Sequence, residues 1–156
     1  MTAPDRPGVA AAGRAMPVHD QELLDVAGAL LSRRYAERRH EVAAAARLAS
    51  GTVVTGLHVE ASQGRASVCA ESGVLSAAAA TGDPVRTLVA VLRRPDGEDY
   101  LIEPCGVCAE ILADHCPDAT VWVARHGTVE AVPATALLPY RHTRTARLAP
   151  PRKDPA

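Results

Sequence analysis

Three cysteines and one glutamate stand in two short motifs that predict a metal site. Cys69 is followed two residues later by Glu71, and Cys105 and Cys108 follow directly after Pro104. Because Cys105 and Cys108 are three residues apart, they share one face of a helix that begins near the proline. The N–H groups at a helix start favour thiolates over thiols. Three sulfur ligands leave the fourth tetrahedral position of Zn²⁺ to water, which is typical of a catalytic zinc.

Glu71 is close to this predicted metal without being needed as a ligand. It is therefore placed to take a proton from water and deliver it to a nitrogen of the substrate. A redox pair of Cys105 and Cys108 is the first alternative, but such a pair does not need a third cysteine followed by Ala-Glu. A structural four-cysteine site is the second alternative. Cys116 lies eight residues past Cys108, about two helical turns further on, so we expect a buried small hydrophobe there.

The motifs resemble the zinc-dependent cytidine deaminase family, in the form whose first ligand is a cysteine. The sequence Thr-Gly-Leu-His-Val-Glu at 55–60 is similar to the family's Thr-Gly-x-Asn-Val-Glu, and Leu-Leu-Pro at 137–139 to its C-terminal Leu-Leu-Pro. The resemblance covers roughly residues 40–142. It implies hydrolytic deamination of a cytidine-like nucleoside or a related aminated heterocycle. In that reaction a zinc-activated water is the nucleophile and Glu71 is the proton shuttle.

The resemblance also implies a set of substrate-binding residues. Glu60 and the residue at position 58 would hold the substrate ribose, and here His58 replaces the family's asparagine. The backbone of Ala70 would contact the amide edge of the base. His40 falls where the family places a phenylalanine near the base. We therefore expect His58, Glu60, Ala70 and His40 to line a pocket more polar than that of the family.

Other departures from the family pattern bear on the metal and on the substrate. Ser72 and Ala109 stand where the three-cysteine form usually has arginines, which leaves Arg65 as a candidate donor that offsets the thiolate charge. The chain has no phenylalanine, so Tyr35 or Tyr140 would have to supply a ring. The substrate stays open between cytidine and an aminonucleoside antibiotic of the blasticidin S type. A non-catalytic zinc-binding domain is a third possibility, against which the retained Glu71 argues.

Composition narrows the class of protein and of partner. The chain has 156 residues, 47% of them apolar, with a formal net charge of −1. This fits one domain with a sizeable core and argues against a nucleic-acid partner, which favours a basic surface. We find no apolar run of membrane-spanning length and no signal peptide, so we expect a cytoplasmic protein without a membrane partner. The resemblance implies a homotetramer or a homodimer.

Helical and strand periodicities alternate along the chain and predict an α/β fold. We expect a three-layer α/β/α sandwich with a five-stranded mixed sheet in a domain at 18–142. The flanking segments are predicted to be a disordered N-terminal arm at 1–17 and a mobile tail at 143–156. The first main helix should begin at a capping Asp20 and run to about Arg38. Its arginines are interpreted as a solvated helix end, with an anion or substrate clamp as the alternative. The predicted strands lie at 42–49, 52–60, 85–92, 120–124 and 128–132, and the predicted zinc helices at 69–81 and 105–115.

Overall fold

A computed structural model describes residues 6–125 and 127–142 of the chain. Within these residues, short 3₁₀ turns at Gly64–Ala66 and Ala134–Leu137 accompany four α-helices and six β-strands. The helices are α1 (Val9–Arg14), α2 (Val18–Arg34), α3 (Ala70–Thr81) and α4 (Gly106–His115). The strands are β1 (Val42–Leu48), β2 (Val53–Leu57), β3 (Val85–Arg93), β4 (Asp99–Ile102), β5 (Thr120–Arg125) and β6 (Thr128–Pro133).

The strands form one mixed sheet in the order β2-β1-β3-β5-β6. Only β3 and β5 are parallel, and the other neighbours in this order pair antiparallel. The short strand β4 adds a sixth member, because it pairs antiparallel with the second half of β3 beyond the end of the β3–β5 pairing. Five strands were predicted. The sixth has only four residues, and the pair formed by Arg93 and Asp99, with Nε to Oδ1 at 2.7 Å, fastens it to β3.

Helices cover both faces of the sheet, which confirms the three-layer α/β/α architecture. Successive side chains of a strand point to opposite faces, and in β1 Ala43 and Ala45 pack with the α1–α2 layer. Ala44 and Ala46 pack instead with the α3–α4 layer. All four alanines are fully buried. Their small side chains allow the helices of both layers to approach the sheet closely.

Helix α2 differs from its prediction at both ends. It begins at Val18, so Asp20 lies inside the first turn and is not the cap. Asp20 is buried, and its Oδ2 accepts a hydrogen bond of 2.9 Å from Nε1 of Trp122 in β5. The tertiary partner explains this position, because a buried carboxylate needs a donor. The helix ends at Arg34, and the chain then turns through Arg38, whose φ is 59°.

The N-terminal segment is more ordered than predicted. Helix α1 lies inside the expected disordered arm, and Ala12 and Met16 are buried against α2 in the core of that layer. Two well-placed apolar side chains therefore order a stretch whose composition predicts disorder. Residues 1–5 and the predicted tail at 143–156 lie outside the described residues.

We find no helix in the described ranges that is both long and apolar enough to cross a membrane.

Candidate metal and catalytic site

The three predicted thiols meet at the starts of two helices. Cys69 is the residue before α3, Cys105 is the residue before α4, and Cys108 lies in the first turn of α4. Their sulfur atoms all lie within 4.8 Å of one another, and the Sγ atoms of Cys69 and Cys105 are 3.7 Å apart. Sulfurs bound tetrahedrally at about 2.3 Å from Zn²⁺ would be separated by about 3.8 Å. The three cysteines, which are free of disulfides, therefore fit a zinc ion.

Close packing between β2 and α3 positions Cys69. A Cβ atom on Gly56 of β2 would lie 2.1 Å from the carbonyl oxygen of Ala70 and 2.7 Å from the nitrogen of Val74. Gly73 faces the same point, since its own Cβ would be 3.4 Å from the Gly56 Cα. The backbone of β2 at Gly56 thus packs directly on the backbone of the first turn of α3. This role of Gly56 was not predicted, although a glycine inside a strand is a known sign of close backbone approach.

A serine takes the place of the family's arginine beside the metal ligands. The Oγ atom of Ser72 lies 3.5 Å from the Sγ of Cys108. Arg65, which we considered as the replacement donor, is exposed and makes no side-chain ion pair or hydrogen bond within the described ranges. The structure therefore places a neutral hydroxyl, and not a guanidinium group, next to a ligand sulfur.

Local surroundings make the three thiols unequal. Burial alone would raise the pKa of Cys105, but the N–H groups of Cys108 and Val107 at the start of α4 and the two neighbouring thiols lower it overall. Burial raises the pKa of Cys108 strongly, and the negative charge of Glu71 adds to this effect. Burial also raises the pKa of Cys69. Because Zn²⁺ binds thiolates, metal uptake by this site releases protons.

Glu71 is buried at the base of the site. Its side chain belongs to the second residue of α3, and only 4% of the residue is exposed. Burial raises the pKa of the carboxyl group, while its own backbone N–H, the thiol of Cys108 and the charge of His58 act in the opposite direction. Ala70 is equally buried, at 1% exposure. A carboxyl group held beside three thiols can exchange protons with a molecule bound at the site.

His58 and Glu60 lie just beyond the end of β2, outside the sheet. Together with His40 they form a polar segment that is called the rim of the site below. Strand β2 was predicted to reach residue 60 but ends at Leu57. The Nε2 of His58 lies 3.0 Å from Oε2 of Glu60, so these side chains do share one side of the segment. The other oxygen of Glu60 accepts a hydrogen bond of 2.9 Å from Oγ of Ser67. His40 joins the same rim, since its Nδ1 donates to the carbonyl oxygen of His58 at 2.8 Å.

The segment that carries His58 and Glu60 is joined directly to the three-thiol cluster. Val59 and Val68 form an antiparallel bridge with N–O distances of 2.9 and 3.0 Å, and Cys69 is the next residue. Tyr140, one candidate for the missing aromatic ring, is 99% exposed and so does not line a pocket within a single chain. Cys116 lies outside the three-thiol cluster and packs against the core beside α3 and α4. It is only half-buried, whereas a buried small hydrophobe was predicted.

Comparisons with known proteins agree with this geometry. The model of the cytidine and deoxycytidylate deaminase zinc-binding region matches residues 17–124. A blasticidin-S deaminase of Bacillus cereus is 30% identical over 130 residues, covering 80% of this chain and 93% of that protein. A cytidine deaminase of Halalkalibacterium halodurans is 29% identical over 65% of this chain and 76% of its own length. The crystal structure of the cytidine deaminase from Bacillus anthracis superposes with a TM-score of 0.68 at 26% identity, covering 80% of this chain and 89% of that one. The chain belongs to the cytidine and deoxycytidylate deaminase family, whose members carry this zinc-binding region.

Proposed function

We propose that the protein is a zinc-dependent hydrolytic deaminase that releases ammonia from an aminated pyrimidine nucleoside or a related heterocycle. The observation that carries the proposal is the buried carboxyl group of Glu71 beside three clustered thiols. A structural zinc site with three cysteines does not require that carboxyl group, and burying it without a partner costs free energy. Its retention therefore favours an enzyme over a non-catalytic zinc-binding domain.

The metal assignment follows from the donor set. Cys69, Cys105 and Cys108 would hold the ion, and their separation supports three-thiolate coordination with one position left open. When bound, zinc supplies the Lewis acidity that lowers the pKa of water at the site towards neutrality. The remaining steps belong to side chains of the protein.

Glu71 would carry the protons of the reaction. Its carboxylate accepts a proton from the attacking water, donates it to the ring nitrogen of the substrate, and assists departure of the amine. Burial raises the pKa of the carboxyl group, which makes the carboxylate a stronger base towards the attacking water. The buried backbone of Ala70 lies between the ligand Cys69 and Glu71, where it would contact the amide edge of the base.

For the substrate, we propose a more polar nucleoside than cytidine, and an aminonucleoside of the blasticidin S type is the leading alternative. His58, His40 and Glu60 provide a rim of polar side chains. Within the described residues the buried Nδ1 of His58 has no hydrogen-bond partner, and a substrate group that reached it would satisfy this unpaired atom. The sequence match to the Bacillus cereus blasticidin-S deaminase spans more of both chains than the sequence match to the Halalkalibacterium halodurans cytidine deaminase does.

The test measures ammonia released from cytidine, deoxycytidine, adenosine and blasticidin S by the zinc-loaded protein. Glu71→Gln should retain the fold and about one zinc per chain, yet lose a factor of about 10² to 10⁴ in rate, because the proton carrier is gone. Glu98→Gln, in the exposed turn between β3 and β4, is the matched control and should retain full rate. A Glu71→Gln enzyme within tenfold of wild type would remove Glu71 from the mechanism. Absence of ammonia from the whole panel would oppose the deaminase proposal.

We also propose that the chain assembles as a homotetramer or a homodimer through α3. A groove of about 500 Å³ runs between α3 and α4, lined by Leu75, Ala79 and Ile111 among others. Exposed small side chains on α3 would let a second copy approach closely. Light scattering should report a dimer or a tetramer at micromolar concentration, and a monomer would reject the proposal.

A further inference from the structure

We propose that the hydroxyl group of Ser72 donates a hydrogen bond to the Cys108 sulfur and thereby sets how tightly the site retains zinc. Ser72 is a positioning residue in this role, because it would act on the reaction only through Cys108. The inference rests on the proposed function in one respect, the assignment of zinc to the three thiols. It replaces Arg65, the donor considered from the sequence, by a neutral group on α3.

The Ser72 hydroxyl and the Cys108 sulfur belong to the two helices that carry the ligands. Ser72 is the third residue of α3, directly after Glu71. Cys108 is the third residue of α4. Their Oγ and Sγ atoms are 3.5 Å apart, which is a hydrogen-bonding distance for sulfur, whose radius exceeds that of oxygen. The contact therefore joins α3 to α4 at an atom that would bind the metal.

Burial makes Cys108 depend on a donor from the protein. Cys108 has no exposed surface, so bulk water cannot solvate its sulfur. Cys105 differs, because it is exposed and its sulfur receives hydrogen bonds from the N–H groups of Val107 and Cys108. A buried thiolate without a donor costs free energy. The Ser72 hydroxyl is placed to meet this need of Cys108.

The other polar neighbours of the Cys108 sulfur cannot donate to it once zinc is bound. They are Cys69, Cys105 and Glu71. Zinc binds cysteines as thiolates, and an ionised carboxyl group only accepts hydrogen bonds. Ala109, the next residue of α4, is buried and has no polar side chain. Among the side chains that the structure describes around this sulfur, the donor is therefore Ser72.

The charge of the site gives the sign of the effect. Three thiolates and one Zn²⁺ sum to −1, and the carboxylate of Glu71 adds a further negative charge beside them. Hydrogen bonds to ionised acceptors are stronger than those between neutral groups. The Ser72 hydroxyl therefore stabilises the zinc-bound form, in which the sulfur is negatively charged, more than a form in which the sulfur is a neutral thiol.

The first measurement is the zinc affinity of the full chain, by competition with a chelator of known affinity. Ser72→Ala removes the hydroxyl and should lower the affinity by about 10- to 100-fold, the range found when the hydrogen-bond partner of a metal ligand is removed. Ser72→Thr keeps a hydroxyl and should restore most of the affinity. Alanine is the best helix former, so Ser72→Ala should keep the fold, which circular dichroism checks.

The second measurement uses Co²⁺ in place of zinc, because its sulfur-to-metal charge-transfer band reports the electron density on the ligand sulfurs. Loss of a hydrogen bond to a thiolate makes it a stronger electron donor, so Ser72→Ala should shift the band to longer wavelength. Ser72→Thr should leave it near the wild-type position. A residue that only packed α3 against α4 would change stability without moving the band.

Ser76→Ala is the matched control. Ser76 lies one helical turn further along α3, is exposed, and lines the same groove between α3 and α4 as Ser72 does. The same substitution at Ser76 removes a hydroxyl group without removing the contact to Cys108. The Ser76 variant should therefore keep the zinc affinity and the cobalt band of the wild type.

The outcomes separate this inference from the proposed function. A Ser72→Ala protein with wild-type zinc affinity or an unshifted cobalt band overturns the inference, as does a Ser72→Thr protein that behaves like Ser72→Ala. Neither readout requires turnover. If the expected losses are found but no ammonia is released from any nucleoside, the inference stands and the deaminase proposal is opposed. Wild-type protein that takes up no zinc would overturn the metal assignment, and this inference with it.

Discussion

The substitution Gly56→Ala should disrupt the site without replacing any of its proposed residues. The new Cβ would lie 2.1 Å from the carbonyl oxygen of Ala70, and real Cβ contacts essentially never fall below 3.0 Å. Strand β2 and the start of α3 must therefore separate by about 0.9 Å. The atoms in the way belong to backbone, so no side-chain rotation can relieve the overlap.

The expected cost is about 1 to 3 kcal/mol of unfolding free energy, which is usual for an extra carbon forced into a well-packed core. The same displacement moves Cys69 and Glu71, because they are the residues on either side of Ala70. A misplacement of about 1 Å at a reacting centre costs about 10² in rate. We therefore expect weaker zinc retention and a large loss of deamination together with the loss of stability.

Urea unfolding, followed through the fluorescence of the single buried Trp122, measures the stability. Metal analysis and ammonia release measure the site. Gly64→Ala is the control, because a Cβ at that position has open space around it. A Gly56→Ala protein within about 0.5 kcal/mol of wild type and with full zinc content would refute the packing argument.

Two further predictions concern the ligands and the rim. Cys105→Ser should lose zinc and stability, whereas Cys116→Ser should keep both, and zinc loss from the Cys116 variant in metal analysis would overturn the ligand assignment. His58→Asn, which restores the family residue, should raise kcat/KM for cytidine, because an amide can serve a ribose hydroxyl where the imidazole is paired with Glu60. Wild-type kcat/KM for cytidine of about 10⁵ M⁻¹s⁻¹ or more, an ordinary value for an enzyme on its own substrate, would show that the polar rim is misread.

Features that depend on a few neighbouring residues were predictable. The two zinc helices begin where Cys69 and Pro104 predict and end at Gly82 and before Pro117, because capping, proline and glycine effects are local. At Gly82 the φ of 70° is the left-handed conformation that glycine accepts without strain. The ligand spacing is equally local, which is why the motif alone indicates a metal.

Features that depend on a distant partner were not predictable from the same information. Strand β4 exists because it pairs with β3, and α1 is ordered because Ala12 and Met16 are covered by α2. The sequence predicts a helix cap at Asp20, yet its partner is the indole of Trp122 in β5, 102 residues further along the chain. Burial and pairing of this kind are set by contacts between segments far apart in the chain.

The site itself divides in the same way. The three thiols and the carboxyl group of the site belong to two short motifs. Because zinc prefers particular ligand atoms, the residue types in these motifs are enough to predict a metal site. Whether the motifs meet depends on Gly56, because only a residue without a side chain lets α3 settle on β2. The pairing of His58 with Glu60 and the attachment of Arg39 to the rim likewise arise from loops brought together in space. Local stereochemistry thus determined what the ligands are, and tertiary packing decided where they stand and which groups a substrate would meet.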